Sequence, residues 1–157
     1  MKEDTKKTYM MSIGLNAILF LMVALFLDKM SLGLVLLCLS IIPLTINAIS
    51  ILNEYKKTGL INKYHYYLPI STLLIYLIFG MVSLNNGKWE LFRQSYARNF
   101  GDTSVEIANS PISPSQLIFT AIMYIAIGYL ITKLIESRSQ KKNNKRNDNV
   151  TRSKSFE

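Results

Sequence analysis

The residue types that do chemistry are few in this chain and do not cluster. His65 is the one histidine. With no cysteine or carboxylate cluster beside it, it reads as an interfacial residue and not a metal ligand, because closed metal sites draw on three or four such donors. Cys38 is the one cysteine; it lies inside an apolar run and forms no intrachain disulfide. Ser71 has neither a base nor a nucleophile elbow around it. No spacing of acid, base, nucleophile or metal ligand emerges. The expectation is therefore no catalytic residue, no metal, no cofactor and no enzyme.

The polar residues that do stand out are neutral and set in apolar surroundings. Asn16 and Asn47 lie roughly 10 Å and roughly 8 Å in from the ends of their apolar runs at 1.5 Å per residue. That depth lets the two meet across a hairpin and hydrogen-bond, an interaction averaging about 0.6 kcal/mol between membrane helices. Pro43 frees the Leu39 carbonyl and is expected to kink its helix. A second pattern repeats: Thr72, Tyr76 and Gly80 in one run, Thr120, Tyr124 and Gly128 in the next, each at a spacing of four. In antiparallel helices this repeat is inverted, setting Tyr76 level with Tyr124, Thr72 with Gly128, and Gly80 with Thr120. Small residues four apart form a ridge that lets backbones approach, so the pair reads as a packing seam, which Gln116 and Thr132 extend.

A third group is aromatic. Trp89, Phe92, Tyr96 and Phe100 recur at helical spacing opposite Lys88, Glu90, Arg93, Gln94 and Arg98. This predicts a short amphipathic helix lying in a membrane interface, stopped by Gly101, its aromatic face a candidate outer binding surface.

The elements that must position these residues are long apolar blocks. Half of the 157 residues are hydrophobic, and they come in runs with no polar face. Four such runs, at about 9–27, 32–52, 68–84 and 116–135, each approach the length that crosses roughly 30 Å of hydrocarbon at 1.5 Å per residue. The first run is too long for a signal-peptide core and reads as an uncleaved span. Residues 1–135 thus read as an all-α integral membrane domain of four helices, two antiparallel hairpins with an outer loop at 85–115. Residues 136–157 read as a basic, disordered cytoplasmic tail.

Of 18 Lys and Arg residues, most fall in the N-terminal segment, the 53–65 loop and the tail. The positive-inside rule then puts both termini in the cytoplasm of a cell membrane. The net charge of +8 sits beside the spans, so lipid and not nucleic acid is the expected neighbour. Abundant Ile, Lys and Asn suggest a bacterial, AT-rich source. No Asp, Glu, Arg or His falls in the middle of a run, which argues against a proton-coupled pump. By elimination the expected function is a non-enzymatic accessory, protective or immunity-type protein that binds another membrane protein or an exported peptide. A holin-like pore-former and an oligomeric small-solute transporter are the alternatives.

Overall fold

A computed structural model describes residues 3–59, 61–97 and 107–138, with Glu3, Asp4 and Ala97 as backbone only. Most of the described residues are helical, and none of them lies in a strand. Four helical stretches are long and apolar enough to cross a membrane: Thr5–Lys29, Leu32–Thr58, Lys63–Asn85 and Pro114–Arg138. Residues 136–138, read as the start of a disordered tail, are helical and continue the fourth span, while 139–157 and Arg98, Phe100 and Gly101 lie outside the described residues.

The first span is helix α1 (Glu3–Phe26) closed by a 3-10 turn over Leu27–Lys29. Ser31 then caps the next helix, its hydroxyl accepting from the Leu34 N–H at 3.3 Å, which satisfies one of the donors a helix start leaves unmatched. The second span is built of α2 (Leu32–Leu36), a π-helical turn (Leu37–Ile41) and α3 (Ile42–Thr58). Within that turn the Ile42 N–H reaches back five residues to the Leu37 carbonyl. The turn lies immediately before Pro43, whose ring and missing N–H disturb the ordinary ladder there.

Gly59 ends the span in the left-handed region at φ 70°, a conformation that favours glycine. Asn62 caps a 3-10 turn over Lys63–Tyr67 that runs directly into α4 (Leu68–Asn85), with Pro69 in the first turn. Gly87, also at φ 70°, turns the chain back into α5 (Lys88–Ala97). The fourth span starts at Pro114 with α6 (Pro114–Ile122), passes a second π-helical turn (Met123–Ile127) and stays helical to residue 138.

Contacts between span ends show the up-down-up-down course. Thr5 meets Glu54, Tyr9 meets Ser71 at 2.5 Å, and Tyr66 meets Glu136 at 2.7 Å, all at the lysine-rich end. At the other end the Asn86 amide donates to the Ala24 carbonyl. The buried stripe of the first span is Thr5, Ser12, Asn16, Phe20, Val23, Ala24 and Leu27, a helical period that points one face inward. Phe20, Tyr76, Phe79 and Tyr124 stack their rings at the centre. Large apolar side chains such as Ile18, Leu21, Ile78 and Ile122 face outward, the inverse of a soluble bundle and the arrangement lipid requires.

The helices run past the expected ends of the spans: the first begins at Thr5 and the fourth reaches Arg138. The second span continues through residues 53–58, and the third begins at Lys63 and not near Leu68. The apolar runs end before the helices do, because Glu54, Tyr55 and Lys56 are adequate helix formers that need no lipid to stay helical. Glu54 and His65, read as loop residues, therefore belong to the bundle.

Candidate functional site

Two buried polar clusters lie between the first three spans. In the middle one, Asn47 is the hub. Its Oδ1 accepts from Ser12 Oγ at 2.9 Å and from Asn16 Nδ2 at 3.0 Å, and its own Nδ2 donates to Thr72 Oγ1 at 3.0 Å. Thr72 passes the chain on to the Leu68 carbonyl at 2.9 Å. All four side chains are buried. In so apolar a setting, groups that satisfy each other fix the alignment of three helices.

The second cluster is at the lysine-rich end and was missed by sequence reasoning. Thr5 Oγ1 donates to Glu54 Oε1 at 2.7 Å. His65 Nε2 stands 3.0 Å from Glu54 Oε2. Thr5, Glu54 and His65 are 2%, 2% and 0% exposed, so His65 is an interior residue and not an interfacial one. The signal available in the sequence was the pairing of one carboxylate and one imidazole on either side of a very short connection.

The repeat of threonine, tyrosine and glycine is only partly one seam. Tyr76 and Tyr124 meet edge to face with ring centroids 6.3 Å apart. The flanking levels differ from those expected. Gly128 packs on Pro69, where an added Cβ would lie 2.5 Å from the ring Cγ, and Gly80 packs under Ile112. Thr72 faces Asn47. The reason is the segment 107–113, which folds over Gly80 before α6 begins, together with the π turn in the fourth span.

That π turn places the Tyr124 hydroxyl on the Leu39 carbonyl, the one Pro43 leaves without an α-helical donor. The Tyr76 hydroxyl donates to the Pro111 carbonyl at 2.7 Å, with Thr120 and Gln116 in reach of the same oxygen. Beside them Ser40, Gln116, Thr120 and both tyrosines line a cavity of about 40 Å³, room for water and well below the size of an organic ligand site.

Between the third and fourth spans, on the outward side, runs an apolar groove of about 280 Å³ lined by Leu73, Leu77, Leu117, Ile118 and Ala121. The two spans meet at Gly128–Pro69 and through the Tyr76–Tyr124 ring pair, while Gly80 is covered by Ile112 of the segment before the fourth span.

Helix α5 closes the far end of the bundle. Trp89 and Phe92 are 6% and 1% exposed and belong to the core with Leu27. The Trp89 indole donates to the Ala108 carbonyl at 3.0 Å, and the Tyr96 hydroxyl accepts from the Leu32 N–H at 2.6 Å. Of the four residues expected to form an outer surface, Trp89 and Phe92 are buried against the bundle, Tyr96 is half-buried and Phe100 lies outside the described residues. Amphipathic spacing marks an apolar face but does not say whether lipid or protein covers it. Lys88 pairs with Asp28 at 2.8 Å. On the exposed face Arg93 grips Glu90 through two nitrogens, at 3.0 and 2.9 Å, and reaches Asn109 at 3.1 Å. Hydrogen bonds from Arg93 and then Gln94 hold the Glu90 carboxyl below its ordinary range, and Glu90 raises Arg93 in return.

Among the described residues no group of three or more His, Cys, Asp and Glu side chains is placed to hold a metal ion. No protein-family model, curated protein or solved structure matches the chain.

Proposed function

We propose that the chain is a multi-pass protein of a bacterial cell membrane with both termini in the cytoplasm. On this reading it acts as a non-enzymatic accessory or protective protein, seating a transmembrane helix of a partner membrane protein in the groove between its third and fourth spans. The orientation rests on the positive-inside bias of its lysines and arginines. The observation that carries the partner reading is the groove itself. It is apolar, it lies on the outward side of the bundle, and the two spans that line it are held together by the Gly128–Pro69 contact and the Tyr76–Tyr124 ring pair. Small-residue contacts of this kind are what let membrane helices pack closely without a hydrophobic drive. Asn47 engages Ser12, Asn16 and Thr72 across the first three spans, so this cluster ties helices together.

The test is site-specific photocrosslinking in native membranes, with a benzophenone side chain at Leu77 or Ile118, and at Ile18 or Leu21 as lipid-facing controls. One protein adduct of defined mass at the groove positions and not at the controls is the expected result. Adducts only to lipid would overturn the reading. Adducts only to a second copy of the chain would move it to an oligomeric pore or transporter, and an adduct to a short peptide would move it to a peptide-binding immunity function.

A further inference from the structure

Given the membrane reading above, and independently of the groove, we infer that the lysine-rich end of the bundle is a docking collar for the headgroups of anionic membrane lipids.

The two ends of the bundle handle charge differently. At the far end Lys88 pairs with Asp28 at 2.8 Å and Arg93 with Glu90 at 2.9 Å. At the lysine-rich end such pairs are missing. Lys6 and Lys7 of the first span, Lys56 and Lys57 of the second, Lys63 of the third and Lys133 of the fourth are all exposed. Among the described residues none of these lysines pairs with a carboxylate. The acids of that end are instead engaged by the bundle. Glu54 is 2% exposed and accepts from Thr5, and Glu136 accepts from the Tyr66 hydroxyl at 2.7 Å. Acids face inward and bases from all four spans face outward, which leaves a ring of positive charge with no counterion among the described residues.

The aromatic residues at the same level show where that ring stands. Lys133 Nζ lies 5.6 Å from the Tyr129 ring centroid, and Lys63 Nζ lies 6.0 Å from that of Tyr64. Tyr129 in turn meets Tyr66, with centroids 5.5 Å apart, and Tyr67 and Tyr129 are 54% and 47% exposed. Half-exposed tyrosines at the ends of apolar spans belong to the boundary between hydrocarbon and headgroups. A lysine laid along such a ring keeps its stem on apolar surface and its ammonium at headgroup depth. Its three N–H donors then need an acceptor that also carries net negative charge. The phosphodiester of an anionic lipid such as phosphatidylglycerol supplies both. Phosphatidylcholine carries the same phosphodiester beside a compensating ammonium, so net charge is what the collar reads.

The test measures lipid selectivity at the protein surface. The purified full chain is reconstituted in phosphatidylcholine bilayers with spin-labelled phosphatidylglycerol or phosphatidylcholine. Electron paramagnetic resonance then gives the fraction of each label slowed by contact with protein. Phosphatidylglycerol is expected to associate roughly fivefold more strongly, the factor that one well-placed lysine supplies. The preference should fall towards equality in about 1 M salt, where charges are screened within about 3 Å. Lys63→Gln/Lys133→Gln should roughly halve the preference and leave phosphatidylcholine association unchanged, which shows that the bundle still folds. Lys29→Gln, removing an exposed cation at the other end, should change neither. Equal association of the two lipids with the wild type would overturn the proposal. So would a preference that survives Lys63→Gln/Lys133→Gln and vanishes when the lysines and arginines after Arg138 are replaced by glutamine. A chain that slows neither label does not span the bilayer, and that result would sink the membrane reading itself.

Discussion

Gly80 and Gly128 occupy equivalent places in the repeat yet face different neighbours, and the difference is measurable. At Gly128 an alanine methyl meets the ring of Pro69, which is locked to its own backbone in the first turn of the third span. Gly128→Ala is expected to cost about 1–3 kcal/mol, the usual penalty for overpacking a fitted contact. At Gly80 the obstacle is the Ile112 Cγ2 methyl, the end of a side chain on an irregular segment, so Gly80→Ala should cost clearly less. Unfolding of both variants in mixed detergent micelles ranks them; an equal or inverted order would contradict the contact assignment. Residue-scale electrostatics gives a second expectation. The depressed Glu90 carboxyl contributes stability that is complete above its ordinary value of 4.5 and is lost as pH falls through its lower folded value. Protection factors across residues 88–97, exchange rates divided by their intrinsic values at each pH, should therefore fall at acid pH in the wild type and show a flatter profile in Glu90→Gln.

At the scale of elements, the two π turns belong to one device. Pro43 strips the Leu39 carbonyl of its helical donor, and the turn at Met123–Ile127 presents the Tyr124 hydroxyl that replaces it. Tyr124→Phe is expected to destabilise the protein by about 1–3 kcal/mol, since it strands a buried carbonyl. In a Pro43→Ala background the restored N–H can satisfy Leu39, so the same change should cost less. A double-mutant cycle in denaturant should return a coupling of roughly 0.5–3 kcal/mol, and additivity would dissolve the proposed link. Sequence reasoning reached the freed carbonyl but not its partner, because nothing in Tyr124 alone reveals a π turn. It reached the Asn16–Asn47 hydrogen bond by counting depth, since helical rise is a reliable ruler. Glu54 and His65 stayed out of view because hydropathy marks where lipid-compatible sequence ends, and helices run past that point. Phe92 and Trp89 were misplaced for a related reason: an apolar face specifies burial without naming the medium.

On the scale of the whole molecule, four helices compatible with a membrane were legible from length and composition, while the groove and the closing helix α5 depend on how the spans lean together. The proposed orientation makes its own prediction. In a Cys38→Ser background, Asn109→Cys should react with an impermeant maleimide on intact cells, and Lys57→Cys only after the membrane is opened. The reverse pattern would invert the topology.

The Glu54–His65 pair also sets an order of events during synthesis. Glu54 and Asn47 arrive with the second span, but the groups that complete them, His65 and Thr72, belong to the third. A nascent first hairpin therefore carries an unneutralised carboxylate and an unfilled amide that hydrocarbon will not accept. On the proposed membrane reading, the first hairpin should therefore be completed only when the third span packs beside it.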